Sequence, residues 1–418
     1  MKIHSARVIH ALLLAGLITG VDAADLSFEQ ALQRAVEQTP QLRQRQADLA
    51  GASSAMVAAD ALPDPKVFAG IDNLPVQGAD RFTLTRDFMT MQKIGVIQEI
   101  PNAARRRARA ESSQARVAQA GAALRATQVS ISSEVAGAWL NRYYLGQQGA
   151  LLDELEKENR LWDSIVKAQL GSGRITAADA LMPQQEALAL AGRRDELERE
   201  IRRANALLAR WTGETDADFT PSGTPPPFAV DADYLRQHVH HHPALGVYAP
   251  LTGIARAELH EAEAALKPDW GVEVAWQHRG AAFGDMVSVQ VSADLPLFSN
   301  TRQTPLIEAR QQALASLDAE REDMQRDHAA TLENELADYA ALTRELIRLQ
   351  QEALPLAMQR VALQRAGYEA GRTDLGSVLA ARRDWHELRL KSLALTQQQQ
   401  MLAARMHYLY DYSGETAP

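Results

Sequence analysis

Between residues 131 and 166, apolar side chains recur at steps of three, four and seven: Ile131, Val135, Ala138, Leu145, Leu152, Leu155, Trp162 and Val166. In the second half of the chain Leu332, Leu336, Tyr339, Leu342, Leu346 and Leu349 repeat the pattern. Such spacing sets one stripe of a helix against a neighbour, and its persistence predicts coiled-coil-like packing rather than isolated globular helices. The two helical stretches run from about 103 to 170 and from about 304 to 366. At 1.5 Å per residue, helices of that kind reach on the order of 100 Å.

A different period governs WGVEVAWQH at 270 to 278. Trp270, Val272, Val274 and Trp276 alternate with small or polar residues, which predicts a strand with one apolar face. The segment VSVQVSADL follows, placing Val287, Val289 and Val291 on one face and Ser288, Gln290 and Ser292 on the other. An amphipathic hairpin against a protein core shows the same alternation. Indole rings near both ends of the apolar face favour the boundary between lipid and water, and so favour a membrane-facing strand.

The two halves share one layout. Pro40 and Pro243, and Pro65 and Pro268, stand at a common offset, each second proline leading into a strand candidate. Each long helical stretch breaks at a glycine turn, LGSGRITAADAL or YEAGRTDLGSVL, and restarts as a second helix. The sequence therefore predicts two structural repeats. The first spans 24–211, with strands at about 66–72 and 82–100 and a helical hairpin at 102–211. The second spans 231–412, with strands at about 269–278 and 286–296 and a hairpin at 302–412. Residues 212–230, rich in proline, glycine and threonine, form the linker, and 413–418 a tail.

Composition narrows the function. Apolar residues make up 46% but aromatics only 6%, which suits long helices better than a compact aromatic core. A formal net charge of −9 gives no electrostatic case for nucleic acid, and the absence of cysteine excludes disulfides, thiol catalysis and a lipidated cysteine anchor. Lys2 and Arg7 before the apolar run at 11–20, with small residues at Val21 and Ala23, predict an export signal over 1–23. Beyond it no stretch of about 20 apolar residues exists, so any membrane entry must be as a closed barrel. Four strands cannot close around a channel, so a membrane location requires several copies to pool their strands. No hydrolase, phosphate-loop or dinucleotide motif appears, and no enzyme or cofactor is expected.

On the duplicated glycine turns, the YEAGRTDLGSVL stretch and the two strand pairs ahead of the long helices, the chain resembles the TolC-like outer-membrane efflux channels. DNLPVQG together with RFTLTRDFMTMQKIGVIQEIP is most similar to the outer-membrane components of heavy-metal exporters of the resistance–nodulation–division type. The resemblance implies a mixed α/β membrane protein: a homotrimer with a 12-stranded barrel in the outer membrane, four strands per chain, continued by a periplasmic helical barrel. It implies passive conduction of substrate, divalent heavy-metal cations in this branch, from a periplasmic adaptor and an inner-membrane pump to the exterior. A channel for organic compounds and a periplasmic coiled-coil adaptor or scaffold without a pore are the alternatives.

The resemblance also implies that the glycine turns form the periplasmic tip and adaptor contact, through Gly173, Arg174, Asp179 and Leu181 and through Gly371, Arg372, Asp374, Ser377 and Leu379. Asp179 stands six residues after its glycine, where the family commonly has aspartate; Ser377 holds the equivalent place in the second turn. Asp179 also reads simply as an acid at a helix N-terminus. Two further features invite chemistry. His238, His240, His241 and His242 form a cluster able to ligate a borderline metal, or a plain surface helix. Arg105, Arg106, Arg107 and Arg109 open a long helix against its dipole, which calls for lipid head groups, interchain carboxylates or a solvated face.

Overall fold

The computed structural model describes residues 24–171, 175–214 and 218–411. The expected export signal at 1–23 and the tail at 413–418 lie outside the described residues. The elements in order are β1 (Ala24–Ser27), α1 (Phe28–Gln38), α2 (Pro40–Ala58), β2 (Lys66–Asp72), β3 (Met91–Ile100) and α3 (Ala103–Gly171). They continue with α4 (Met182–Thr212), β4 (Phe219–Ser222), α5 (Ala232–His238), α6 (Tyr248–Ala264), β5 (Asp269–His278) and β6 (Met286–Asp294). Three helices complete the chain: α7 (Gln303–Arg348), α8 (Leu354–Glu369) and α9 (Leu375–Met406). A π turn at Leu349–Ala353 joins α7 to α8, immediately ahead of Pro355. Proline cannot donate to the preceding turn, and its ring displaces the carbonyl four residues back, so a widened turn there has a local cause. Among the described residues no helix is long and apolar enough to cross a membrane.

Two compact units emerge, and each draws on both halves of the sequence. The first comprises the described residues up to Ala35 with Val135–Pro227 and Leu346–Met401; the second comprises Val36–Glu134, Phe228–Glu345 and the residues from Leu402 onward.

In the first unit the heptad pattern becomes the core. Leu145, Leu152 and Leu155 of α3 pack with Leu190, Leu197 and Ala204 of α4, and Leu390 and Leu393 of α9 lie against them. Steps of seven on both partners are what keep a seam facing its neighbour along a long helix pair. Trp139 is 0% exposed; its indole N–H donates to the Leu26 carbonyl at 2.8 Å, Phe28 meets it edge-on and Tyr143 stacks on it. Leu26 belongs to β1, which pairs in parallel with β4 from Ala24↔Phe219 to Ser27↔Ser222. The linker thus contributes a strand, closing with buried Phe219 over the helices of this unit.

In the second unit Leu332 and Leu336 of α7 pack on Leu235 of α5, Met406 of α9 and Tyr410. The same unit holds a four-stranded antiparallel sheet of order β2-β3-β5-β6. The second strand is shorter than its alternation predicts, starting at Met91 instead of near 82. Phe82 has a left-handed backbone (φ 55°), its N–H donates to the Pro75 carbonyl at 2.8 Å, and the Thr90 hydroxyl donates to the Asn73 carbonyl at 3.1 Å. Residues 73–90 therefore fold back on themselves as a closed loop before the ladder begins.

Candidate membrane sheet and helical tip

The register brings every large apolar residue of this sheet except Phe68, Met91, Ile97 and Met286 to one face. Successive rows across the sheet read Val67–Val96–Val274–Val289, Ala69–Ile94–Trp276–Val287, Gln98–Val272–Val291 and Ile100–Trp270–Ala293. The residues expected to face lipid, Trp270, Val272, Val274, Trp276, Val287, Val289 and Val291, thus share a surface with Val67, Ile94 and Val96 of the first repeat. Most of this surface is open; Val67, Val287 and Val289 are each about 70% exposed. Such a continuous apolar patch is far from the scattered apolar residues normal on a soluble surface.

The opposite face is mostly polar or small, with Phe68, Met91, Ile97 and Met286 among its residues. Its rows are Lys66–Ile97–Glu273–Gln290, Phe68–Gly95–Ala275–Ser288 and Gly70–Lys93–Gln277–Met286. Lys66 pairs with Glu99, and Lys93 with Asp72 at 3.1 Å. The Phe68 ring packs against Gly95, and a Cβ at Gly95 would stand 2.6 Å from both the Phe68 ring and the Val274 carbonyl. That glycine is required by the close approach of ring and backbone, a positional meaning glycine carries in strand interiors. Among the described residues neither β2 nor β6 pairs on its outer edge.

Where the sheet meets the helices, Asn102 and Asp269 form a clasp. Asn102 caps α3: its side-chain oxygen accepts the Arg105 N–H at 2.9 Å, while its amide donates to Asp269 at 2.8 Å and to the Ala264 carbonyl at 3.1 Å. The Asn102 N–H also donates to Asp269, at 2.8 Å. The arginine run finds its partners here, and they are carboxylates of the same chain. Arg105 pairs with Asp269, Arg109 with Glu261 at 2.8 Å, and Arg106 with Asp60 at 3.7 Å. These ion pairs offset the unfavourable dipole at the start of α3. Replacing Asn102 by alanine removes the cap, its one side-chain hydrogen bond to Asp269 and its bond to the Ala264 carbonyl. We expect a loss of about 2 kcal/mol, read as a lowered unfolding midpoint in detergent.

At the far end of the helical hairpins two glycine turns were expected. Gly173 and Arg174 lie outside the described residues. The rest of the first turn is a reciprocal capping box: Thr176 N–H and hydroxyl donate to Asp179 at 3.1 and 2.7 Å, and Asp179 N–H donates to the Thr176 hydroxyl at 3.2 Å. In the second turn Gly371 takes a left-handed φ of 67° and ends α8, with the Arg372 N–H reaching the Gly367 carbonyl at 2.8 Å. The Arg372 side chain is exposed. Asp374 then caps α9, accepting the Ser377 N–H at 2.8 Å and its hydroxyl at 3.0 Å. These bonds hold the Asp374 carboxyl below its ordinary range. Both turns thus start a new helix with one acid and one hydroxyl three residues apart, in opposite order. This exchange accounts for serine at 377 where aspartate stands at 179.

Beneath the turns Val166, Ala180 and Leu375 are buried, with Trp162, Ile175, Tyr368 and Leu379 around them. Leu379 is part of this packing, while Leu181 is about half exposed. Further along, Glu154 accepts both Arg389 nitrogens at 2.8 Å, and Glu158 pairs with Arg382 and with His386 at 3.1 Å, tying α3 to α9.

The four histidines do not act together. His238, His240 and His241 stay near one another, but His242 turns inward, 8% exposed, and stacks on His328 with ring centroids 3.7 Å apart. Among the described residues no three His, Asp or Glu side chains converge as a metal cage. Burial, then the neighbouring His328 and Arg405, push His242 down to about 4. Burial moves His328 the same way. His242 is thus neutral in the folded chain while an unfolded chain binds a proton below about pH 6.5. Stability is expected to fall as pH drops from about 6.5 towards 4 and then level off. The loss is on the order of 2 kcal/mol after allowance for solvent screening. Thermal midpoints across that range, compared with His242→Asn, check this; the variant's curve should be flatter.

Comparison with known proteins places the fold. Residues 241–408 match the sequence model of the family described as "Outer membrane efflux protein". No curated protein sequence matches significantly. Among solved structures, CusC is similar at 15% identity with a TM-score of 0.77, covering 92% of each chain. A membrane protein from Pseudomonas aeruginosa matches at 16% identity and 0.79, covering 96% of each. The outer membrane channel MtrE of Neisseria gonorrhoeae, solved in an open state, matches at 17% and 0.69, covering 91% of this chain and 88% of that one. Residues 241–408 thus carry the signature of the outer membrane efflux proteins, and along nine-tenths of its length the chain shares the fold of solved outer-membrane channels.

Proposed function

We propose that the protein is the passive outer-membrane outlet of a tripartite efflux system. Three copies pool their sheets into one 12-stranded barrel in the outer membrane, and their helices form a periplasmic conduit. The observation that carries this reading is the single sheet with one apolar face across all four strands and an unpaired strand at each side. Lipid is the solvent in which that apolar face is at rest, and lipid tolerates no open edge, so the wall must close between copies. Two copies would supply eight strands, a barrel whose interior side chains fill; three is the smallest number that leaves a lumen. The polar face of the sheet, with Lys66, Glu99, Glu273 and Gln290, then lines the passage.

The glycine turns, with Asp179, Leu181, Arg372, Asp374 and Ser377, form the periplasmic tip that meets an adaptor joined to an inner-membrane pump of the resistance–nodulation–division type. The cargo is divalent heavy-metal cations, on the likeness of the 72–101 stretch to that branch. Transport, not catalysis, is the activity, and the chain needs no cofactor for it. Two measurements separate the claims. The purified protein reconstituted in planar bilayers should conduct ions as a stable pore; a chain released as a water-soluble monomer that conducts nothing overturns the channel. A deletion strain should lose resistance to metals such as zinc, cobalt, cadmium or copper. Unchanged metal survival with new sensitivity to organic compounds overturns the metal cargo alone.

A further inference from the structure

The end of α5 carries imidazoles that the channel reading leaves unused. His238 lies at the last position of α5, and Val239–His241 form one turn of 3-10 helix before Pro243. The His238 Nδ1 is 2.8 Å from the Tyr234 carbonyl oxygen. A carbonyl can only accept, so Nδ1 carries the proton and Nε2 is left with its lone pair. A backbone carbonyl on one ring nitrogen is the arrangement that fixes the tautomer and orientation of a metal-ligating histidine. Tyr234 stacks on the same ring at 4.0 Å and holds it in place.

The second imidazole is at the right distance. With a metal–nitrogen bond of about 2.0–2.1 Å, a ring centroid stands about 3 Å from the ion, so two rings sharing one ion at a near-tetrahedral angle have centroids about 5 Å apart. His238 and His241 are 5.4 Å apart with their planes tilted 56°. His240 is 4.1 Å from His241 and exposed. His242, buried against His328, takes no part.

We propose that His238 and His241 form a two-imidazole surface site for one borderline divalent cation, with water completing its coordination. Two imidazoles and water suit copper, nickel or zinc and give nothing to magnesium or calcium. A bound ion clamps the end of α5 to the 3-10 turn. This site stands independently of the channel and of its cargo, and failure of either reading leaves the other intact.

The test is a titration of the untagged full chain in detergent with Cu²⁺ alone, followed by calorimetry and by the copper visible and paramagnetic resonance spectra. One Cu²⁺ per chain is expected to bind saturably, with nitrogen ligation in the spectra, Zn²⁺ binding more weakly and Mg²⁺ not competing. Affinity should fall about tenfold or more in His238→Ala and in His241→Ala, and should be unchanged in His260→Ala, a surface histidine elsewhere in the same unit. The wild-type spectra keep the proposal testable even where a variant folds poorly. Absence of saturable Cu²⁺ binding, oxygen-only ligation, or unaltered affinity in both variants overturns it.

Discussion

Gly95→Val should abolish the assembled membrane form of the protein. Gly95 stands at the centre of β3 with the Phe68 ring against it, and even a methyl group there would lie 2.6 Å from the ring and 2.6 Å from the Val274 carbonyl. The ring can rotate; the carbonyl belongs to the neighbouring strand and cannot move without parting the ladder between β3 and β5. Overpacking of this kind costs about 3 kcal/mol or more in a rigid sheet, and each copy in an assembly bears it. The check is recovery of the heat-labile oligomer from outer-membrane extracts, which should be lost. Adding Phe68→Ala should restore only part of it, because the backbone contact remains. Full recovery in the double variant would show that the strands do not approach as described.

Val274→Arg is the second change with a large expected effect. Val274 lies in the row Val67–Val96–Val274–Val289, on the apolar face and well inside the strand. If that face meets hydrocarbon, an arginine near mid-depth costs about 2–4 kcal/mol per copy, tripled in a trimer. Gln290→Arg, one residue from Val289 and on the opposite face, should be nearly neutral if that face is the aqueous one. Both variants can be compared by yield of the membrane-inserted oligomer and by unfolding in detergent. Equal tolerance of the two arginines would mean that neither face sees lipid.

The contrast between these faces was legible in the sequence because a period of two survives any register: Trp270, Val272, Val274 and Trp276 share a side whichever strand pairs with them. The same holds for the heptads. Leu145, Leu152 and Leu155 declared a buried stripe, and the structure buries them against leucines of α4 with the same step. What depended on distant partners was not legible. Asp60, Glu261 and Asp269 answer the arginine run from far along the chain, and nothing local to Arg105 or Arg109 announces them.

Local backbone chemistry hid the other differences. Alternation in RFTLTRDFM suggested a strand, but a left-handed Phe82 and the Asn73–Thr90 closure made those residues a loop. A 3-10 turn ahead of Pro243 separates His242 from its three neighbours in sequence and sends it inward. Two missed residues did leave a signal. Asn102 directly before an alanine- and arginine-rich helix is a cap in the usual position. Gly95 amid β-branched residues marked a close approach within a strand. The exchange of Thr176–Asp179 for Asp374–Ser377 was equally visible as two capping pairs of opposite order.

All of this turns on separate copies sharing one wall, the outer edge of β6 on one copy against the outer edge of β2 on the next. The chain contains no cysteine, so paired substitutions report only on themselves. Cysteines placed one at Val67, Ala69 or Ile71 and one at Val287, Val289 or Val291 keep both partners on the apolar face, where antiparallel neighbours meet directly. Oxidised in the outer membrane and run without reductant, at least one pairing should give a ladder of covalent species that ends at three chains. Monomer alone in every pairing, or a ladder ending at two or four, would contradict it.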